Sequence, residues 1–165
     1  MCSSDLVKWA VSDQRGHARM LSPTDGCDAW SSLATPVWGS EFHEELVPTV
    51  TLDDFVEGLL GKSPTMIKID VEGWESRVIQ GGSKLFTLAR CPLLQVEFTD
   101  ENAISAGTTC EKLFELLTEL DFEVCHYDSA LNQLVPESIR PAYPYVNLYA
   151  SRHLALDNQK LCSGN

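Results

Sequence analysis

Apolar positions along this chain recur with two periods, and the switches between them mark its elements. Val7, Trp9 and Val11 alternate with Lys8 and Ala10, which predicts a strand over Val7–Ser12. Asp13-Gln14-Arg15-Gly16 reads as a turn, and His17–Leu21 as a short returning strand. At Thr51 the period lengthens: Leu52, Phe55, Val56, Leu59 and Leu60 form one helical stripe. Thr51 stands where a cap is needed, Asp53 and Asp54 favour the positive end, Val50 can staple to Phe55, and Gly61 stops the helix. Met66–Val71 follows as an apolar run with Ile67, Ile69 and Val71 on one face, and Gly73 allows a sharp turn. Trp74–Gln80 reads as a helix ended by Gly81-Gly82, Lys84–Ala89 as a second short helix before Pro92, and Leu93–Phe98 as a strand. Thr108-Thr109-Cys110-Glu111 has the form of a capping box with Thr108 as the cap, and Leu113, Leu116, Leu117 and Leu120 share the face of the helix it opens. Phe122–His126 and Tyr145–Ala150 are the last two strands, joined by Asn132–Pro144.

Two stretches lack a period. Residues 22–48 hold Pro23, Gly26, Pro36, Gly39 and Pro48 with Trp30, Trp38 and Phe42 between them, which reads as a long irregular insertion of the lid or binding-loop kind. Residues 151–165 read as a flexible tail. Strands that alternate with helices predict an α/β fold with a mostly parallel sheet and helices on its faces. The final strand pair, with no helix between, adds one antiparallel member.

At 165 residues the chain suits a single domain. Twelve Lys and Arg against 24 Asp and Glu give a formal charge of −12. Phosphate backbones and anionic membranes repel such a surface, which opposes nucleic-acid binding and membrane docking. No apolar run approaches the roughly 18 residues of a membrane span, and Met1–Asp5 is not a secretory signal. The six cysteines, Cys2, Cys27, Cys91, Cys110, Cys125 and Cys162, form no C-x-x-C pair, so a zinc ribbon has no support. They fit a reducing, cytoplasmic setting, although an even count leaves disulfides open. No G-x-S-x-G elbow, no phosphate-binding G-x-x-x-x-G-K-[ST] loop and no histidine pair with metal-ligand spacing occurs, and no metal is expected.

The densest polar cluster is Lys68-Ile69-Asp70-Val71-Glu72-Gly73-Trp74-Glu75. Asp70 and Glu72 stand two apart at the carboxyl end of a predicted strand, where open α/β sheets bind their ligands. Residues i and i+2 share a face, so both carboxylates can converge on one volume, with Lys68 on the same side to offset them. Two acids that close repel, which raises one pKa and suits acid–base work or a cation. The plainer alternative is a pair of solvated loop acids, or caps of the next helix. Asp13 closes another strand and is a turn former or a ligand. Glu97, inside the apolar strand, needs a partner: either it meets the same crevice or it is salt-bridged. His126-Tyr127-Asp128 reads as an ordinary strand edge.

Ile67 to Glu75 (I-K-I-D-V-E-G-W-E), followed by Val78-Ile79-Gln80-Gly81-Gly82, resembles the signature of the FkbM family of S-adenosylmethionine-dependent methyltransferases. Thr51-Leu52-Asp53-Asp54-Phe55 is similar to that family's T-L-D-D helix start. Ala10-Val11-Ser12-Asp13 with Gly16 resembles its third strand and turn, Gln95-Val96-Glu97-Phe98 its fifth strand, and Asn147-Leu148-Tyr149-Ala150 its last. The resemblance runs from about Val7 to Ala150. It implies a class I, Rossmann-like methyltransferase fold with strand order 3-2-1-4-5-7-6 and the seventh strand antiparallel. It also implies methyl transfer from S-adenosylmethionine to an oxygen of a sugar or small metabolite.

By the same resemblance Asp13 lies by the adenine, Asp70 near the methionine end of the cofactor, and Glu72 nearer the acceptor. Asp70 and Glu72 are the expected catalytic residues, and Glu72, Trp74 and Glu97 the expected substrate contacts. The family's glycine-rich V-D-V-G-A-N-x-G loop and the ribose-binding acid after its second strand have no counterpart in the sequence, and Trp74 replaces a small residue. Residues 1–165 are therefore expected to be a single partial domain lacking the first two strands. It would bind the cofactor weakly or not at all unless the missing part were supplied. Two readings of other classes stand beside this one. In one, a non-enzymatic module binds a protein partner, or itself, through an open sheet edge. In the other, a metal-dependent hydrolase uses Asp70 and Glu72, and would need a third or fourth oxygen ligand that the sequence does not name.

Overall fold

Two sheets form in the computed structural model, which describes residues 6–24, 30–37, 41–60 and 64–163, without the side chains of 59, 60 and 163. The smaller has three strands: β1 (Ala10–Ser12), β2 (Gly16–Pro23) and β3 (Phe42–Thr51). β3 lies between the others, parallel to β1 and antiparallel to β2. The expected irregular insertion is thus strand at both ends. Glu44, Glu45 and the exposed Leu46 hide the strand period, because this part of β3 is largely open to solvent. Its eight-residue register with β2 carries the pairing instead. Trp38, Gly39, Gly26 and the stop at Gly61 lie outside the described residues.

The larger sheet has the order β4-β5-β8-β6-β7. Its strands are β4 (Met66–Ile69), β5 (Leu93–Phe98), β6 (Glu123–Asp128), β7 (Gln133–Pro136) and β8 (Val146–Ser151). Only β4–β5 is parallel; β5–β8, β6–β8 and β6–β7 are antiparallel. The expectation of a mostly parallel sheet is corrected here. The sequence places β7 inside a connection, but it returns from β6 through a tight turn. The Asp128 carboxylate accepts from the Ala130 and Leu131 amides, and Asn132 takes φ 51°. A hairpin can only be antiparallel.

The helices are α1 (Leu52–Phe55), α2 (Glu75–Gln80), α3 (Asp100–Ser105), α4 (Cys110–Glu119) and α5 (Leu154–Ser163). α1 runs on into a π-helical turn over Val56–Leu60. Thr51 caps α1 as the sequence predicts, accepting from the Asp54 amide at 3.1 Å. Asp53 does more than favour a helix end: its carboxylate accepts from the Lys84 and Leu85 amides at 3.1 and 2.8 Å. It thereby opens the short 3₁₀ turn Leu85–Thr87 that stands where a second helix was expected. The cap of α4 is Thr109, not Thr108, with its hydroxyl accepting from the Lys112 amide at 3.2 Å. α5 replaces the expected tail. Asn158 holds it to β7 through Leu134, giving to its carbonyl and accepting from its amide. No helix among the described residues is long and apolar enough to cross a membrane.

The two faces of the larger sheet differ. Leu94, Val96 and Phe98 of β5 pair with Ala150, Leu148 and Val146 of β8 and with Ile67 and Ile69 of β4. With Leu113 and Leu117 of α4, that face carries the core. The opposite face carries Met66 and Lys68, then Gln95 and Glu97, then Tyr149 and Asn147. It is largely polar, and it leads to the acids that follow β4.

Candidate active site

β4 stops at Ile69 because the chain turns sharply after it. Val71 to Trp74 closes a four-residue turn, with the Trp74 amide on the Val71 carbonyl at 3.4 Å. Both central residues have positive φ, Glu72 at 52° and Gly73 at 98°. Glycine is required at 73. A Cβ there would sit 2.4 Å from the Asn102 carbonyl oxygen, besides adopting a backbone that L-residues avoid. Glu75 clamps the turn from within, its Oε1 accepting from the Val71 and Gly73 amides at 3.2 Å each. Burial pushes the Glu75 carboxyl above its ordinary range even so.

This turn brings Asp70 and Glu72 together, by a route other than strand alternation. Glu97, on the neighbouring strand β5, completes the group: one oxygen from each of the three lies within 4.8 Å of the others. Glu97 thus meets the other two acids and, among the described residues, forms no ion pair. Each carboxylate has one oxygen held by a donor. Lys68 Nζ donates to Asp70 Oδ2 at 2.5 Å, Asn102 Nδ2 to Glu72 Oε2 at 2.7 Å, and Thr99 Oγ1 to Glu97 Oε1 at 2.6 Å. Glu97 is 4% exposed, and its Oε2 is buried with no donor.

The electrostatics follow from that crowding. Burial and the adjoining Asp70 carboxyl push Glu97 up to about 7. Asp70, with Glu97 and Lys68 beside it, is held below its usual value. Glu72 is raised by burial and by the charge of Asp70. At neutral pH the group holds an excess of negative charge around a partly buried space, which attracts a cation or a proton.

The other expected site residues stand at the neighbouring end of β1. Asp13 accepts from Ser12 Oγ at 2.9 Å and from Arg77 Nη1 at 3.0 Å, and these contacts hold its carboxyl below the usual range despite burial. Trp74 spends its indole N–H on Ser12 Oγ at 3.0 Å, with the Arg77 guanidinium 5.8 Å from its ring centre. Asp13 and Trp74 thus bind the end of β1 to α2 and do not join the three acids. Gly81 completes that junction, since a Cβ there would meet the Ser12 carbonyl oxygen at 2.2 Å.

Sequence reasoning missed three residues of the rim: Asn102, Thr99 and Ser32. Ser32 is 3% exposed and donates to the Glu72 carbonyl at 2.7 Å, which ties the loop between β2 and β3 to the turn. Asn102 acts across 30 positions of sequence, and only its place just after the strand bearing Glu97 hinted at it.

Four cysteines among the described residues, Cys91, Cys110, Cys125 and Cys162, are free thiols. A separate cavity of about 690 Å³, lined in part by Pro64, Thr65, Cys91 and His153, lies at the opposite end of β4.

The family model described as the methyltransferase FkbM domain matches residues 5–124, which contain β4, the acidic turn, β5 and α3. No curated protein and no solved structure matches the chain.

Proposed function

The chain belongs to the FkbM methyltransferase family, and from that premise we propose that its acidic rim serves methyl transfer from S-adenosylmethionine to an acceptor oxygen of a sugar or small metabolite. The observation that carries this reading is the convergence of Asp70, Glu72 and Glu97 on one volume inside the matched segment. The strand order β4-β5-β8-β6, with β8 reversed, supports assigning these as strands four, five, seven and six of a class I sheet. In that arrangement strands one and two pair between β1 and β4. Among the described residues, the outer edges of β1 and β4 are both unpaired.

The acids suit the charge of the cofactor at its methionine end. When bound, S-adenosylmethionine supplies an electrophilic methyl group on a positively charged sulfur. Asp70, the most exposed of the three and the one held ionised, faces that charge in this reading. Glu72 takes the acceptor's hydroxyl proton, because its raised pKa brings it closer to the value a base needs. Asn102 and the Ser32 contact fix Glu72, and most of the acceleration comes from such alignment. The adenine end fits less well: both oxygens of Asp13 already accept hydrogen bonds. The family's glycine-rich loop is absent from the sequence, so these residues are expected to bind the cofactor weakly.

Amide NMR of the chain titrated with S-adenosylmethionine to several millimolar tests the reading. Shifts concentrated at 70–75 and 97–102 are expected. Shifts confined to other regions, or none, count against it. A second reading, a module that docks a protein strand or its own copy, is favoured by one observation. β4 is an edge strand whose Met66 is 45% exposed, and unpaired edges invite pairing. Concentration-dependent association with no cofactor-induced shifts would favour that reading instead.

A further inference from the structure

The three carboxylates form more than an acidic patch, because each is oriented. Lys68, Asn102 and Thr99 each hold one oxygen, and one oxygen from each acid lies within 4.8 Å of the others. Such outer donors are how proteins aim metal-ligating carboxylates. A second observation concerns buried oxygens left without a donor. Glu97 is almost wholly buried, yet its Oε2 has no donor. A buried carboxylate oxygen without a donor is costly, so folded chains rarely leave one unless a proton or an ion fills the place. Directly across β5–β8 from Glu97 stands Asn147, whose Oδ1 is likewise buried without a donor.

We propose that Asp70, Glu72 and Glu97 hold a hard divalent cation of the calcium or manganese kind. Oxygens on opposite sides of a calcium ion are about 4.6–5.2 Å apart, twice a bond of 2.3–2.6 Å, and adjacent ones are closer. A spread within 4.8 Å lets all three acids touch one such ion with little movement. Oxygen-only ligation by carboxylates, with the Asn147 carbonyl as a near neighbour, selects a hard ion over zinc or copper. In the methyl-transfer reading such an ion would take acceptor hydroxyl oxygens as its remaining ligands, lower their pKa and replace Glu72 as the group that activates the acceptor. The binding claim itself does not rest on that reading.

The competing occupant is a proton shared by Asp70 and Glu97, and one experiment separates the two. Manganese(II) is titrated into the whole chain at neutral pH, near-physiological salt and no cofactor, and the loss of the free-ion electron paramagnetic resonance signal is followed. The expected result is one bound ion per chain, with a dissociation constant on the order of 10⁻⁴ M, displaced by calcium. Glu97→Gln should weaken binding by about tenfold or more. Glu44→Gln, which removes one exposed charge elsewhere, should leave it unchanged. Circular dichroism checks that each variant is folded, and Glu72→Gln substitutes if Glu97→Gln is not. No binding by the folded chain means that the pair carries a proton only, which overturns the proposal. Binding that survives both Glu97→Gln and Glu72→Gln overturns it too, because the ion would then sit on other acids. With no S-adenosylmethionine present, neither failure bears on methyl transfer.

Discussion

Two carboxylates of this chain are buried to the same degree, Glu75 at 5% exposed and Glu97 at 4%, and their surroundings are opposite. Glu75 sits inside a turn and receives two backbone amides, those of Val71 and Gly73. Glu97 sits near the end of a strand, accepts from Thr99 at one oxygen, and adjoins two further acids. Burial raises both, so titration behaviour alone does not distinguish them. The partners do. A buried acid surrounded by amide donors holds the fold together; a buried acid beside other acids weakens the fold, and in the proposed reading what it binds offsets that cost.

Substitutions put that contrast to the test. The largest effect is expected where the turn itself is attacked. Gly73→Ala places a methyl 2.4 Å from the Asn102 carbonyl at a φ of 98°. Strain and overpacking together should cost about 3–5 kcal/mol in urea unfolding. Glu75→Ala comes next, at about 2–4 kcal/mol, because two amides lose their acceptor and a void is left. Asn102→Ala should cost about 1–2 kcal/mol and also blunt the cofactor-induced shifts of the turn, since it frees the Glu72 carboxylate.

The smallest effect is on pH dependence in chelator-treated buffer. Glu97 has a folded pKa of about 7 against an ordinary 4.5, so between those values the folded chain holds more protons than the unfolded one. Stability therefore falls as pH rises through that window. Glu72 and Glu75 are raised as well and contribute in the same sense. Urea midpoints measured across the window should decline in the parent chain and decline less in Glu97→Gln.

The same contrast explains what could be read in advance. Period carried most of the larger sheet: Leu93–Phe98 coincides with β5, and β4, β6 and β8 lie within two residues of their expected ends. It failed for β3, whose exposed Glu44, Glu45 and Leu46 break the alternation, and for β7 and α5, which are short or weakly amphipathic and are held by contacts from elsewhere in the chain. At the site, Asp70 and Glu72 were legible because a strand end and a glycine locate them. The odd placing of Glu97 in an apolar strand flagged it without revealing its partner. Asn102 and Ser32 were not legible, because their roles exist only once distant segments meet, whereas Thr99 stands two residues from Glu97 and its contact is local. Asp13 and Trp74, expected at the site, stand apart from the three acids at the junction of β1 with α2, where Ser12 and Arg77 hold them.

The most direct test is the urea unfolding free energy of Glu97→Gln at neutral pH. The glutamine amide can donate to Asp70 while its carbonyl keeps the Thr99 contact. Stability should hold or rise by up to about 1 kcal/mol, even as binding at the rim weakens. A loss of about 2 kcal/mol or more, on the scale expected for Glu75→Ala, would make Glu97 a structural residue and contradict the assignment of the rim as a ligand site.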